Sequence, residues 1–113
     1  MLLRLRPTLM PSAPRILSIE GELDMNNVPL LREHLASVVA QKIPEVLLDL
    51  TGLSYVDSSG LALFIESLQR IQAYGGKLRL FGLRESVRQI FEISRLDQVF
   101  QLFPDKDAAL QAA

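Results

Sequence analysis

The residues best suited to chemistry stand together in YVDSSGLALF, Tyr55 to Phe64, where an acid, two serines and a glycine separate two apolar segments. A serine at such a junction can act as a nucleophile, accept a phosphate or cap a helix. A nucleophilic serine needs a positioned base, and the sole histidine, His34, falls inside a predicted helix. The glycine pattern of the Gly-x-Ser-x-Gly elbow is also missing around Ser58. The sequence therefore disfavours serine hydrolysis.

Two other roles stay open for this segment. Asp57, Ser58 and Ser59 are each of a type that caps a helix N-terminus, where one side chain accepts from the first free amides. Three candidates for one position leave a hydroxyl facing solvent at the positive end of the helix. Such a terminus accommodates a phosphate, whose oxygens accept from free amides. The segment is thus either a cap and turn only, or a phosphorylation site.

Composition limits the other possibilities. A chain of 113 residues fits one domain, 1–113, and a formal net charge of −1 gives no general attraction to nucleic acid. The absence of cysteine excludes disulfides and thiolate chemistry, and one histidine gives no metal cluster. Apolar runs are far shorter than the roughly 18 residues of a membrane span. We therefore expect a cytoplasmic protein without a cofactor, metal or membrane span.

Hydrophobic patterning then predicts the elements that must position these residues. Alternation predicts a strand at 15–23, and short apolar runs predict strands at 45–50, 77–81 and 98–103. Helical periodicity predicts helices at about 27–41, 59–74, 84–94 and 105–113. Residues 1–14, which contain three prolines, are predicted to form an irregular strand or loop before a core at about 15–112.

This order predicts a single α/β domain with a mixed sheet of about four to five strands, a parallel central part, and helices mainly on one face. In the second helix, Leu61, Phe64, Ile65 and Leu68 are expected to face inward. Leu63 would then lie on the opposite side with Ser67, Arg70 and Tyr74, either exposed incidentally or as a partner-contact stripe.

Four segments together resemble the STAS domain family, and more narrowly its bacterial anti-sigma factor antagonists. The resemblance covers about residues 15–112. The segments, in family order and spacing, are GELD at 21–24, LLDLTGLSYVDSSGL at 47–61, YGGKLRL at 74–80 and VRQIFEISRLDQVF at 87–100. The chain departs from the family at Arg95, where glycine is frequent, so a left-handed helix cap there would be borne by arginine.

The resemblance implies a non-enzymatic partner-switching module. In the family, the unmodified antagonist binds an anti-sigma factor that is also a serine kinase, which frees a sigma factor. Phosphorylation ends binding, and a serine phosphatase restores it. Carried to this chain, the phosphate acceptor is Ser58, which leaves Ser59 as the better helix cap. The partner-binding residues expected from the resemblance are Asp24, Asp57, Ser59 and Gly60, and the stripe on the second helix adds Leu63.

Two alternatives remain. The same fold could serve as a subunit of a lipid transporter or another signalling assembly rather than act on a sigma factor. A small nucleotide-binding or hydrolytic enzyme using the loops at Asp24 and Asp57 is the third hypothesis, although the phosphate loop, base and metal set it would need are missing from the sequence.

Overall fold

The computed structural model describes residues 3–7 and 14–112, and its secondary structure alternates strands and helices along the chain. In the described part of the chain the strands are β1 (Arg4–Pro7), β2 (Arg15–Leu23), β3 (Glu45–Asp49), β4 (Leu53–Val56), β5 (Lys77–Phe81) and β6 (Gln101–Phe103). The α-helices are α1 (Val28–Ala40), α2 (Ser58–Ala73), α3 (Glu85–Ile93) and α4 (Lys106–Gln111), with a 3₁₀ turn at Leu96–Gln98.

The strands form one mixed sheet in the order β1-β2-β3-β5-β6. β1 is antiparallel to β2, whereas the β2–β3, β3–β5 and β5–β6 pairs are parallel. β2 changes partner along its length: Arg15 to Ser18 pair with β3, and Gly21 to Leu23 pair in parallel with β4. The register shifts after Gly21, which has a φ of 106° that glycine adopts without strain.

Apolar side chains cover both faces of the central strand, as expected of a parallel sheet with helices on each side. Val46 and Leu48 face the main core, which is shared with α1, α2 and α3. Leu47 faces the other side, where it packs with Phe81 and with Ala109 of α4. Three helices therefore cover one face and one short helix covers the other.

The predicted fold class is confirmed, with one strand more than expected. The bounds predicted for β2 and β5 agree with the structure, and β4 was missed because Leu53–Val56 is too short to show alternation. Of the irregular start predicted for residues 1–14, residues 1–2 and 8–13 lie outside the described part.

The exposure expected for Leu63 is wrong. Its side chain is only 2% exposed, and Ser67, one turn later, is also buried. α2 packs against α1 as well as against the sheet, so its buried arc is wider than a single-sided helix would show. Tyr74 is half-buried and donates its hydroxyl to the carbonyl of Ile43 at 2.6 Å, which leaves Arg70 as the exposed member of the expected stripe. Leu61 and Ile65, expected to face inward, are half-buried.

The end of α3 contains two unusual residues. Ile93 is 84% exposed because it lies on the side of the helix away from Val87 and Phe91. Arg95 has a φ of 61°, so the left-handed position after α3 is indeed occupied by arginine. A non-glycine residue at positive φ costs about 1 kcal/mol or more.

Candidate functional site

The candidate site lies at the edge of the sheet where β2 and β4 end. Two segments leave this edge side by side: the Asp24 turn (residues 24–27) after β2, and the DSSG segment (residues 57–60) after β4. Because β2 and β4 are parallel neighbours, their carboxyl ends meet. The amide of Asp57 donates to the carbonyl of Leu23 at 3.1 Å, which holds the two segments together at their base.

Asp57 is the N-cap of α2. Its Oδ1 accepts hydrogen bonds from the amides of Ser59 at 3.0 Å and Gly60 at 3.1 Å, and from the Ser59 hydroxyl at 2.6 Å. The expectation that Ser59 would cap the helix is therefore wrong. Asp57 precedes the first helical residue with an extended backbone, so its side chain reaches back over the first turn, while Ser59 already lies inside it.

The second oxygen of Asp57 binds the neighbouring turn. Its Oδ2 accepts from the amide of Met25 at 3.1 Å, so one carboxylate caps a helix and joins the two segments. The Asp24 turn is closed by its own side chains: Asp24 Oδ1 accepts from the amide of Asn26, and Asn27 Oδ1 accepts from the amide of Asp24, both at 2.9 Å. The structure thus brings Asp24 and Asp57 to adjacent segments, with the Asp24 carboxylate bonded within its own turn.

These hydrogen bonds lower the pKa of Asp57 below its ordinary value. The Ser59 hydroxyl contributes most, and the amides of Gly60, Met25 and Ser59 add to it, while burial acts in the opposite direction. The side chain is therefore a carboxylate at neutral pH. A permanent negative charge lies beside Ser58.

Ser58, the first residue of α2, is exposed. The hydrogen bonds described for this segment involve Asp57, Ser59 and Gly60 but not the Ser58 hydroxyl. Ser59, by contrast, is half-buried with its hydroxyl bound to Asp57. The two serines are thus distinct: one hydroxyl is accessible, and the other is part of the cap.

Gly60 allows α2 to approach the ends of both strands. A Cβ atom here would come within 2.6 Å of Val56 Cγ2 and 2.8 Å of Leu23 Cδ2, distances that real side chains do not tolerate. The glycine of the motif is therefore required by packing.

Three apolar residues that are at least partly exposed belong to the two segments or to α2 beyond Ser58. Met25, at the tip of the Asp24 turn, is 73% exposed. Leu61 and Ile65 follow Ser58 along α2 at helical spacing and are half-buried. We call Met25, Ser58, Leu61 and Ile65 the serine surface. Met25 was not predicted, although an apolar residue within the polar turn ELDMNN is a signal that could have identified it.

The enzyme hypothesis would require a base or a metal site near Asp24 and Asp57. His34 lies within α1, half-buried, and the hydrogen bonds described around Asp57 do not involve it. Within residues 3–7 and 14–112, there is no group of three or more histidine, cysteine or acidic residues placed to hold a metal. In the same ranges, no helix has the length and apolar character needed to cross a membrane.

Comparison with known proteins identifies the family of the chain. The model of the STAS domain family matches residues 8–109. The chain is 30% identical over 94 residues to the anti-sigma-B factor antagonist of Bacillus subtilis, covering 83% of this chain and 85% of that protein.

Two solved structures share the fold. An anti-sigma factor antagonist from Mycobacterium paratuberculosis superposes with a TM-score of 0.89 at 24% identity, over 98% of this chain and 93% of that one. The Bacillus cell fate determinant SpoIIAA in its phosphorylated form gives a TM-score of 0.73 at 20% identity, over 94% and 96% of the two chains. The family-model match spans nearly the whole chain, and the chain therefore belongs to the STAS domain family.

Proposed function

We propose that this protein is an anti-sigma factor antagonist that works by partner switching. Its unphosphorylated form binds an anti-sigma factor that is also a serine kinase, and thereby frees a sigma factor. Phosphorylation of Ser58 ends the binding, and a serine phosphatase restores it. The observation that carries the proposal is the accessible Ser58 hydroxyl on a segment held rigid by Asp57. The name of the B. subtilis relative supports the choice of partner.

The switch is electrostatic. A phosphate on Ser58 adds about −1.5 to −2 charge next to the ionised Asp57. Asp57 already occupies the amides of Ser59 and Gly60, so these two helix amides are not free for the phosphate. A partner closing over Ser58 would have to bury a dianion next to the Asp57 carboxylate, and burying a charge that is not fully paired is costly.

The serine surface provides the apolar contacts. Met25, Leu61 and Ile65 offer exposed or half-exposed carbon next to Ser58, the arrangement of an apolar interface centre. Asp24 contributes a polar contact from the adjacent turn. Asp57, Ser59 and Gly60 act by shaping the segment, and Leu63 contributes through the core rather than through contact.

In this scheme the protein is a cytoplasmic regulator without catalytic activity of its own. Its partners are the anti-sigma factor kinase and the phosphatase, with no direct role for nucleic acid. The formal net charge of −1 supports the expectation that nucleic acid is not a direct partner, because it gives no general attraction to a polyanion.

The test is phosphate mapping in native cells. The wild-type chain and the Ser58→Ala and Ser59→Ala variants are purified with their bound proteins and analysed by intact mass and peptide mapping. We expect a phosphate on Ser58 that disappears in Ser58→Ala and persists in Ser59→Ala. Only the phosphate-free form should copurify with an anti-sigma factor.

Phosphate confined to Ser59, or stable copurification of the phosphorylated form, would contradict the proposal. Copurification with transporter subunits in place of an anti-sigma factor would instead identify a subunit of another assembly.

A further inference from the structure

The DSSG segment contains two serines, and a kinase that closes over the segment meets both of them. Ser58 and Ser59 are the first two residues of α2, so they lie on the same helical turn. Both side chains carry the same primary hydroxyl, so only their surroundings can direct a phosphate to one of them. The surroundings differ mainly in the contact with Asp57.

Asp57 holds the Ser59 hydroxyl. This hydroxyl donates to Asp57 Oδ1 at 2.6 Å, and the Ser59 amide donates to the same oxygen at 3.0 Å. A hydroxyl that donates to a carboxylate forms a charge-assisted hydrogen bond, roughly twice as strong as a neutral one. The same bond is the largest cause of the lowered pKa of Asp57, which makes this carboxylate a weak base. Asp57 therefore binds the proton of Ser59 without removing it.

A phosphate on Ser59 would also be disfavoured as a product. Phosphorylation replaces the hydroxyl proton, so Asp57 Oδ1 would lose one donor and face a dianion attached to the oxygen 2.6 Å away. Ser59 is half-buried, and like charges at a half-buried site are screened less than charges in open water. Ser58 has neither constraint, because it is exposed and its hydroxyl takes no part in the hydrogen bonds described for the segment.

We propose that Asp57 determines which serine is phosphorylated, because it withholds Ser59 from the kinase. This inference rests on the proposed function, in which a serine kinase acts on the DSSG segment. In the transfer, the serine Oγ bonds to the γ-phosphorus of ATP, the bond to ADP breaks, and the hydroxyl proton passes to a base of the kinase. At Ser58 these steps act on an uncommitted hydroxyl, whereas at Ser59 the bond to Asp57 must first break. Asp57 is thus a positioning residue for the phosphorylation.

The test uses the full chain with Ser58→Ala, in which Ser59 is the one serine left in the DSSG segment. The chain is incubated with ATP and the kinase that copurifies with the phosphate-free protein from native cells, and the phosphate is located by peptide mapping. Ser58→Ala alone should remain essentially unmodified. Adding Asp57→Asn should raise phosphorylation of Ser59 at least about tenfold, because asparagine retains an oxygen for the helix cap but carries no charge.

Asp105→Asn in the same Ser58→Ala chain is the matched control. Asp105 is the N-cap of α4, where its Oδ1 accepts from the amide of Ala108 at 2.9 Å. This substitution changes a capping aspartate that is not bonded to Ser59, so Ser59 should remain unmodified. The Cα chemical shifts of Ser59, Gly60 and Leu61 should stay helical in the Asp57→Asn chain, which separates a released hydroxyl from an unfolded first turn.

Three results would overturn the proposal. They are an unmodified Ser59 in the Asp57→Asn chain, equal phosphorylation of Ser59 in the Asp105→Asn chain, and phosphorylation of Ser59 accompanied by loss of the helical shifts. Failure of the proposed function has a different signature, because no kinase would then copurify or the wild-type chain would carry phosphate on neither serine.

Discussion

Asp57 performs two tasks with two oxygens. Oδ1 receives three donors from the first turn of α2, and Oδ2 receives the amide of Met25 across 32 positions of the chain. Serine could cap the helix, but it lacks the second oxygen needed to hold the Asp24 turn. An acid before the two serines is therefore more than a generic cap.

The lowered pKa of Asp57 predicts a pH dependence of stability. With a pKa lower in the folded than in the unfolded chain, the folded form binds fewer protons, and the contribution of Asp57 is present above the ordinary aspartate pKa. It is lost as pH falls through the folded pKa. We expect the free energy of unfolding to fall more steeply between about pH 5 and about pH 3 in wild type than in Asp57→Asn.

Urea unfolding at a series of pH values measures this difference. Asp97→Asn, at an exposed position in the 3₁₀ turn, is the matched control and should follow wild type. If the free energy of unfolding fell equally with pH in wild type and Asp57→Asn, Asp57 would not be the source of the pH dependence.

At the scale of elements, α2 has one side that packs in the core and another that belongs to the proposed binding surface. Leu63 turns toward the core shared with α1, whereas Leu61, two residues earlier, is half-buried beside Ser58. Because both residues are leucines, a difference between the effects of substituting them reflects their positions alone.

The pair gives opposite predictions. Leu63→Ala should lower the free energy of unfolding by about 2–5 kcal/mol, as large-to-small changes in a core do. Leu61→Ala should cost about 1 kcal/mol or less but weaken binding of the anti-sigma factor. Chemical denaturation and calorimetric titration measure the two effects. Equal losses of stability would contradict the assigned faces.

The sequence predicted most elements because their patterns are local. The alternation of β2 and the apolar run of β5 define these strands without reference to neighbours. What it missed depends on long-range contact. The side to which Leu63 turns depends on α1, and the choice of Asp57 over two serines as cap depends on the exact start of α2. Asp57, Ser58 and Ser59 lie together at the start of α2, as the sequence predicted, but identifying which of them caps the helix required the geometry.

At the scale of the whole molecule, the serine surface lies at the edge of the sheet where β2 and β4 end. The core behind it is continuous, with residues from β2, β3, β4 and β5 and from three helices. The exposed position of Ser58 means that a negative charge there can change binding without disturbing this core.

A Ser58→Glu variant should separate binding from folding. We expect its thermal midpoint to stay within about 2 °C of wild type, because an exposed substitution changes stability little. Its affinity for the anti-sigma factor should fall at least about tenfold. Thermal unfolding by circular dichroism and calorimetric titration provide the measurements.

Ser86→Glu, which places the same charge on the exposed side of α3, should retain wild-type affinity. A large drop in the midpoint of Ser58→Glu, or a matching loss of affinity in Ser86→Glu, would indicate general destabilisation or general repulsion in place of a local switch.

The uncommitted hydroxyl of Ser58 has a consequence for how a cell could set the proposed switch. Modification breaks no described hydrogen bond in the loop, so adding or removing the phosphate does not require the loop to rearrange. The proportion of modified molecules then follows the relative rates of the enzymes that add and remove the phosphate. A cell could therefore adjust the response of the proposed switch by changing the levels of these two enzymes.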